Sequence, residues 1–179
     1  YETAEKIGVQ ICYEAEVTSS LEIENGMFLS AEAKIGADPA KNYNIQAKSL
    51  VAAAGGFESN IDWLKKYWGE AAENFLIRGT ANNQGSVLRM LLDKGAQEVG
   101  DPTQCHAVAI DARAPKYDGG IITRLDCVVF GVVVNNRSER FYDEGEDIWP
   151  KRYAIWGRLV AQQPDQIAFI IFDHSVLKK

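Results

Sequence analysis

The sequence of 179 residues has few of the residue patterns that define metal-binding and disulfide-rich proteins. Its three cysteines, Cys12, Cys105 and Cys127, include no Cys-x-x-Cys pair. The spacing therefore predicts neither a disulfide framework nor a zinc site, and we expect a reducing compartment, by default the cytoplasm. The two histidines, His106 and His174, are too few for a multi-histidine metal centre, so we predict no metal.

Long hydrophobic runs and excess basic charge are also lacking. The longest unbroken apolar stretch, around residues 127–134, is far shorter than the roughly 20 residues of a membrane-spanning helix. Acidic residues outnumber basic ones by 25 to 19, which disfavours a nucleic-acid partner. The chain begins at Tyr1 with neither a methionine nor a leader, so we interpret it as a piece of a longer protein. Hydrophobic residues make up 46% of it, which is typical of a globular protein.

Strand signals dominate the first half of the chain, after a short helical start at residues 4–7. The Asn25-Gly26 dipeptide tolerates positive φ at both central positions of a type I′ turn, so we predict a hairpin there. A strand over residues 45–54 that leads to Gly55 and Gly56 is expected to be buried. The predicted strands of this half comprise residues 8–13, 17–23, 27–35 and 45–54.

The pattern then becomes helical. Asn60 or Ser59 can cap a helix that Gly69 ends, and a second apolar face over residues 85–94 predicts another helix that stops at Gly95. From residue 101 the chain changes to loops and short strands, and we place a domain boundary near Gly100. The remaining predicted elements are an apolar strand over residues 128–134, a helix over residues 148–162 and a strand over residues 166–172.

Arginine use changes at the same boundary, since residues 1–100 contain two arginines and residues 101–179 contain six. Arginine suits bidentate binding of carboxylates. The alternative is that these arginines only balance the acidic residues of that half.

Three local patterns are candidates for chemistry, and each has a simpler structural explanation. Gly55 and Gly56 after a strand permit close backbone approach to a ligand, but the pair is also a common turn, and the full G-x-G-x-x-G fingerprint is absent. His106 lies in a polar, loop-like segment, where a lone histidine is often structural. Arg140 begins the return from a tight polar turn, which is alternatively a surface hairpin with paired charges.

Taken in order, these segments resemble the fumarate reductase and succinate dehydrogenase flavoprotein family. Four motifs carry the resemblance: residues 51–57 are similar to its Ala-Thr-Gly-Gly strand end, 84–86 to its Gly-Asp-Gly helix start, 104–106 to its substrate-histidine segment, and 135–144 to its Val-Asn-x-x-Gly-x-Arg-Phe-x-x-Glu turn. Residues 78–80, 100–106, 111–115 and 142–157 resemble the FAD-dependent tricarballylate dehydrogenase branch, which includes the flavoprotein part of a corrin-pathway precorrin synthase.

The resemblance implies an α/β plus α+β fold. Residues 1–100 would be part of an FAD/NAD(P)-binding, Rossmann-like domain, and residues 101–179 part of a fumarate-reductase-type capping domain. Arg140 would exchange a proton with the substrate carbon, and His106 and Thr123 would bind a substrate carboxylate. The implied FAD-binding residues are Glu16 and Val17 at the adenine, Ala53, Ala54, Gly55 and Gly56 along the ribose and pyrophosphate, and Gly85 and Ser86 at the helix start.

The implied reaction is oxidation of tricarballylate to cis-aconitate, with hydride transfer to FAD and a separate electron-transfer protein as acceptor. Ser86 replaces the usual Asp, and Arg124 and Cys127 stand where fumarate reductases have the Glu and Arg of their proton path, which favours oxidation of a saturated acid. The alternatives are the precorrin synthase flavoprotein and a small α+β binding module without catalysis. We expect the piece alone to be inactive and to expose apolar surface along residues 52–57.

Overall fold

The computed structural model describes residues 1–36, 41–117, 125–146 and 149–176, which fall into two compact units. One unit comprises Tyr1–Gly55 and Gly85–Glu98, and the other comprises Gly56–Gln84 and Val99–Lys179. The chain passes from the first unit to the second at Val99, beside the boundary predicted near Gly100. Residues 56–84, however, belong to the second unit. The division into an FAD-binding domain over residues 1–100 and a capping domain over residues 101–179 stays a prediction.

The elements mix α-helices and antiparallel strands, which agrees with the predicted mixed class. The Rossmann-like assignment stays a prediction, since the named strands of the described residues pair only in antiparallel fashion. In chain order the elements are α1 (Glu2–Lys6), β1 (Ala15–Glu24), β2 (Met27–Ile35), β3 (Asn42–Gln46), α2 (Ile61–Trp68), α3 (Ser86–Asp93), β4 (Val132–Asn135), α4 (Trp149–Ala161) and β5 (Ala168–Ile171).

The first unit contains a three-stranded sheet in the order β1-β2-β3, with α3 packed against β1. The predicted turn between β1 and β2 is confirmed, because Asn25 and Gly26 both have positive φ, 50° and 77°. Leu21 and Ala33, each 1% exposed, form the buried face of this sheet. Ala31 and Ala33, two residues apart on β2, are both buried, as the two-residue period of a strand predicts, whereas the burial of Ser30 between two neighbouring strands breaks the alternation.

Two predicted strands are wrong. Residues 8–13 form no strand, and only residues 45–46 of the run over residues 45–54 belong to one, as the end of β3. Ala47 still donates to the Leu29 carbonyl, but the following segment is irregular and exposed, and Val51 is 88% exposed. A strand forms only where another strand accepts its backbone hydrogen bonds, so an apolar run alone does not produce one. We expected exposed apolar surface along residues 52–57. Residues 52–55 are exposed, whereas residues 56 and 57 are half-buried.

The second unit begins with the capped helix that the sequence predicted. The Asn60 side chain accepts from the Trp63 N–H at 3.0 Å at the start of α2, and Gly69 ends the helix with φ 76°. Leu64, Ala72 and Ile77 form a small core beside this helix. The predicted helix over residues 85–94 is also confirmed, as α3 in the first unit.

Hydrogen bonds explain why residues 56–84 group with the second half of the chain. Asn74 donates through Nδ2 to the Asp165 carbonyl at 2.7 Å, and Lys116 donates through Nζ to the Glu73 carbonyl at 2.5 Å. The Ile77 N–H donates to the Lys116 carbonyl at 2.8 Å. These bonds join segments that lie far apart in sequence, which is information that local sequence patterns do not contain.

The rest of the second unit packs around α4. Strands β4 and β5 pair in antiparallel fashion. The predicted strand over residues 128–134 is wrong in its first half, because Cys127–Phe130 form a 3-10 turn and only Val132–Asn135 pair with β5. The predicted helix over residues 148–162 and strand over residues 166–172 are confirmed as α4 and β5, with Ile148 outside the described residues. The core consists of Ala109, Val128, Val133, Tyr142 and Trp156. None of the helices in the described part of the chain is long and apolar enough to span a membrane.

Candidate functional site

A tight turn after β4 positions Arg140, as the sequence predicted. Asn135 is 3% exposed, and its Oδ1 accepts from the N–H groups of Arg137 and Glu139 at 2.9 and 3.0 Å. Its Nδ2 donates to Glu139 Oε2 at 3.0 Å and to Gln163 Oε1 at 3.2 Å. A buried amide thereby satisfies two N–H groups of the turn, in addition to the backbone bonds from Asn135 to the Glu139 carbonyl and from Ser138 to the Asn135 carbonyl. Arg140 starts the return and forms an isolated antiparallel bridge to β4.

An ion pair joins Arg140 to Glu144. Nη2 of Arg140 donates to Glu144 Oε2 at 2.5 Å, and Nε donates to Oε1 at 3.4 Å. The Arg140 side chain is 58% exposed, whereas the Glu144 side chain is only 7% exposed. The Val133 N–H also donates to Glu144 Oε1, at 2.7 Å. The pair therefore consists of a buried, fixed carboxylate and a guanidinium that reaches solvent.

Both pKa values in this pair are shifted toward the charged forms. The hydrogen bond from Arg140 lowers the pKa of Glu144, and the N–H of Val133 acts in the same direction, against the effect of burial. The hydrogen bond to Glu144 raises the pKa of Arg140 further above its ordinary value. Arg140 is thus held as a cation, which suits the binding of an anion.

The His106 segment rests on α4. The His106 ring meets the Tyr153 ring edge to face, with centroids 5.4 Å apart, and His106 itself is exposed. The next two residues lie so close to Gly157 that a Cβ there would come within 2.5 Å of the Ala107 carbonyl carbon and of Val108 Cα. Only a glycine permits this approach of a loop to a helix.

The same helix carries the segment that follows Arg140. Trp156 is 2% exposed and stacks on Phe141 with centroids 6.4 Å apart, while Tyr142 lies at 5.5 Å. Helix α4 therefore contacts both the His106 segment and the Arg140 segment through neighbouring residues. Thr123, the third predicted substrate residue, lies outside the described residues, as does Arg124.

The predicted FAD-binding residues of β1 and α3 lie on elements that pack together. Glu16 is exposed and Val17 half-buried on β1, and α3 packs against that strand. Gly85 precedes α3 in the left-handed conformation with φ 76°, and Ser86 opens the helix with no side-chain cap. The first N–H groups of α3 have no capping side chain, which suits a bound anion such as a phosphate.

Three of the remaining predicted FAD-binding residues form an exposed run of small residues at the end of the segment over residues 1–55. Ala53, Ala54 and Gly55 are exposed, and Gly55 has φ 75°. Gly56 falls in the second compact unit. Small side chains and accessible backbone groups fit the close approach of a cofactor with a diphosphate, so the residues present are compatible with FAD. The role of each residue toward the cofactor stays a prediction.

Metal and disulfide chemistry have no site among the described residues. The three cysteines are free, and no cluster of three or more His, Cys, Asp or Glu side chains within the described ranges could hold a metal ion. Loss of hydration at the sulfur raises the pKa of the Cys105 thiol although the residue is exposed, and the positive charge of Arg158 lowers it by less. Cys105 is therefore mostly a neutral thiol and a poor nucleophile near neutral pH.

Sequence reasoning missed three residues that support the site. Glu144 ends the motif over residues 135–144, but its pair with Arg140 forms in a non-helical segment, where a four-residue spacing does not identify an ion pair. Tyr153 and Gly157 have no sequence signal that links them to His106, because their contact depends on how the loop packs on α4.

Comparison with known structures supports the fold class. No protein-family model matches the chain. The crystal structure of a 3-ketosteroid-Δ4-(5α)-dehydrogenase from Rhodococcus jostii RHA1, in complex with 4-androstene-3,17-dione, matches 99% of the chain with a TM-score of 0.68 and 23% sequence identity. The chain spans 32% of the length of that dehydrogenase. At this identity the likeness shows the fold alone: the chain folds like one segment of a larger dehydrogenase.

Proposed function

We propose that this chain is the central piece of a flavin-dependent dehydrogenase that oxidises tricarballylate to cis-aconitate. Residues 1–100 would supply part of the FAD-binding domain, and residues 101–179 part of the capping domain over the substrate. Electrons would leave through a separate electron-transfer protein. Two independent observations support the class of enzyme: the motifs of a flavoprotein family in the sequence, and a fold similar to a segment of a dehydrogenase.

One observation favours a carboxylate substrate. Arg140 presents a largely exposed guanidinium, held as a cation by Glu144. The segment that follows Arg140 and the segment that contains His106 both contact α4. Arginine binds carboxylates through paired hydrogen bonds, and a tricarboxylate carries about three negative charges near neutral pH. A neutral steroid, in contrast, offers no group that needs an arginine cation.

The residues of this chain would bind and orient the substrate. His106 would donate a hydrogen bond to one carboxylate, and its contact with Tyr153 would fix the plane of the ring. Thr123 would bind the same carboxylate, as the resemblance implies. FAD, when bound, would accept a hydride from the substrate carbon.

Arg140 would act at the proton that leaves the neighbouring carbon. Its pairing with Glu144 opposes loss of its own proton, so a base role requires that substrate binding weaken this ion pair. While the pair is intact, Arg140 would instead hold a substrate carboxylate and stabilise the negative charge that develops on proton removal.

The test is anaerobic addition of tricarballylate to the complete flavoprotein, with the flavin absorbance as the readout. We expect the absorbance to bleach, and we expect Arg140→Lys to abolish bleaching while flavin remains bound, because lysine cannot make the paired hydrogen bonds of a guanidinium. His106→Gln should raise KM for tricarballylate, whereas the matched change at the exposed second histidine, His174→Gln, should leave it unchanged.

The alternative functions predict different results in the same experiment. A flavin that stays oxidised with tricarballylate but bleaches with a 3-ketosteroid would shift the substrate class toward that of the structural neighbour. A bound flavin that responds to neither would favour the precorrin synthase flavoprotein. Absence of flavin from the complete protein would contradict the dehydrogenase and leave the non-catalytic binding module. Retained turnover in Arg140→Lys would refute the role of Arg140 alone.

A further inference from the structure

We infer that Glu144 is a positioning residue, which holds one edge of the Arg140 guanidinium so that the opposite edge is presented to a carboxylate of the substrate. This inference rests on the proposed function, since it assigns Arg140 to substrate binding. It adds a residue that neither the motif resemblance nor the structural neighbour assigns to any role.

The hydrogen-bond geometry selects a particular edge of the guanidinium. Glu144 accepts from Nε and Nη2 of Arg140, which lie on the same side of the planar group. A guanidinium has five N–H donors in a fixed plane, so this side-on pairing leaves the end formed by Nη1 and the second hydrogen of Nη2 for another acceptor. That end matches a carboxylate in two parallel hydrogen bonds.

Glu144 has the rigidity that a positioning residue needs. Its side chain is 7% exposed, and the Val133 N–H fixes Oε1 at 2.7 Å. Val133 is fully buried in β4, and Tyr142, between the two charged residues in sequence, packs on Trp156. The carboxylate is therefore anchored to β4, the segment that carries it packs on α4 through Tyr142, and the exposed Arg140 side chain takes its orientation from the carboxylate. Without that anchor, a long arginine side chain would sample several rotamers.

An incidental surface ion pair is the simpler alternative, and burial argues against it. Surface pairs between two mobile side chains contribute little to stability or orientation. In this pair, one partner is removed from solvent and bonded to the backbone, which costs desolvation free energy that a purely incidental contact would not offset. The asymmetry, with a buried anion and an exposed cation, is what a fixed anion-binding group requires.

The experiment measures tricarballylate binding to the complete flavoprotein by isothermal titration calorimetry, under anaerobic conditions and with the flavin reduced beforehand, so that the bound substrate cannot transfer a hydride. Glu144→Gln keeps an oxygen acceptor for the Val133 N–H but removes the charge that holds Arg140. We expect the Kd for tricarballylate to rise by about tenfold or more, which is about 1.4 kcal/mol in binding free energy, because the guanidinium is no longer held in one orientation.

The matched control is Asp143→Asn. Asp143 is exposed, its Oδ1 accepts from the Gly145 N–H, and its charge also acts on Arg140, but it forms no direct ion pair with it. The control removes the same charge from the same loop, and we expect a change in Kd of about twofold or less. An equal effect of the two substitutions would overturn the inference, since it would show that only net charge matters.

A second measurement separates positioning from a general structural role. In an Arg140→Lys background, Glu144→Gln should cause little further loss of tricarballylate binding, because the side chain through which Glu144 acts is already gone. Full additivity of the two losses would overturn the inference. Failure of the unsubstituted protein to bind tricarballylate would be a different result, and it would reject the proposed substrate together with the role of Glu144 in binding it.

Discussion

At the scale of single residues, two arginine–carboxylate pairs of the described residues differ in how far the carboxylate is buried. Asp111 accepts from Arg113 three times, from the backbone N–H and Nε at 2.9 Å and from Nη2 at 2.5 Å. The Asp111 side chain is 30% exposed, whereas the Glu144 side chain that pairs with Arg140 is 7% exposed. Hydrogen bonds from Arg113 lower the pKa of Asp111 to about 2, although the pair is open to solvent.

This pair gives a direct prediction for titration. We expect the Asp111 carboxyl to titrate near pH 2 by NMR, and we expect Arg113→Ala to raise its pKa without restoring the ordinary value of about 3.9, because the backbone N–H bond remains. Any stabilisation by this pair is present above about pH 4 and is lost as the pH falls toward 2, since the folded-state pKa is the lower one.

The control residue for the titration is Asp173, which accepts from the Ser175 N–H and hydroxyl and has a lowered pKa without an arginine. Arg113→Ala should leave the titration of Asp173 unchanged. An Asp111 midpoint near 3.9 in the unsubstituted chain would show that the pair does not persist in solution.

At the scale of elements, α4 contacts both segments that we propose to bind the substrate. It contacts the His106 segment through Tyr153 and Gly157, and the Arg140 segment through Trp156. A glycine inside a helix costs roughly 1 kcal/mol relative to alanine. Its presence at position 157 is explained by the close approach of the Ala107 backbone, which leaves no space for a side chain.

Gly157→Ala should therefore destabilise the protein despite the better helix propensity of alanine. We expect a loss of about 1–3 kcal/mol in the free energy of unfolding, because the added methyl group overlaps backbone atoms of residues 107–108 that belong to a packed loop. Chemical denaturation measures this loss. Tricarballylate binding should weaken as well, since the loop that carries His106 must move.

Gly79→Ala is the matched substitution, because a Cβ at Gly79 meets no atom within 4 Å. We expect its free energy of unfolding to stay within about 0.5 kcal/mol of the original value. A stable Gly157→Ala protein with unchanged binding would mean that the loop does not rest on α4 in solution.

At the scale of the whole molecule, the chain leaves large apolar side chains in solvent. Several of them lie in the first compact unit, where Ile7 is 77%, Met27 65% and Val51 88% exposed. Other parts of a larger dehydrogenase would cover these side chains if the chain is one segment of it. The structural neighbour is about three times as long as this chain.

The isolated 179-residue chain should therefore bind the dye ANS, and it should bind FAD far more weakly than the complete protein. Fluorescence titration measures both. The complete protein is the control, because its additional parts would cover the apolar surface and complete the flavin site. An isolated chain that excludes ANS would instead support a self-sufficient binding module.

Features set by short-range interactions were predictable from the sequence. The Asn25-Gly26 turn and the Asn60 cap of α2 were predicted correctly, since both depend on residues within a few positions of one another. The strand over residues 45–54 was predicted wrongly, because its formation depends on a partner strand. Arg140 was located in its turn, but its buried anchor was not identified.

The sequence by itself determined the Asn25-Gly26 turn, the capped helix α2, the helix α3 and the position of the Arg140 turn. These follow from backbone preferences and capping within a few residues, which no tertiary contact needs to supply. The sequence also contains the motifs that resemble a flavoprotein family. Only the tertiary structure decided that residues 56–84 pack with the second half of the chain, that α4 contacts both the His106 and Arg140 segments, and that Glu144 is buried beside Val133. Those facts depend on contacts between residues distant in sequence, where burial and hydrogen bonding choose the partner.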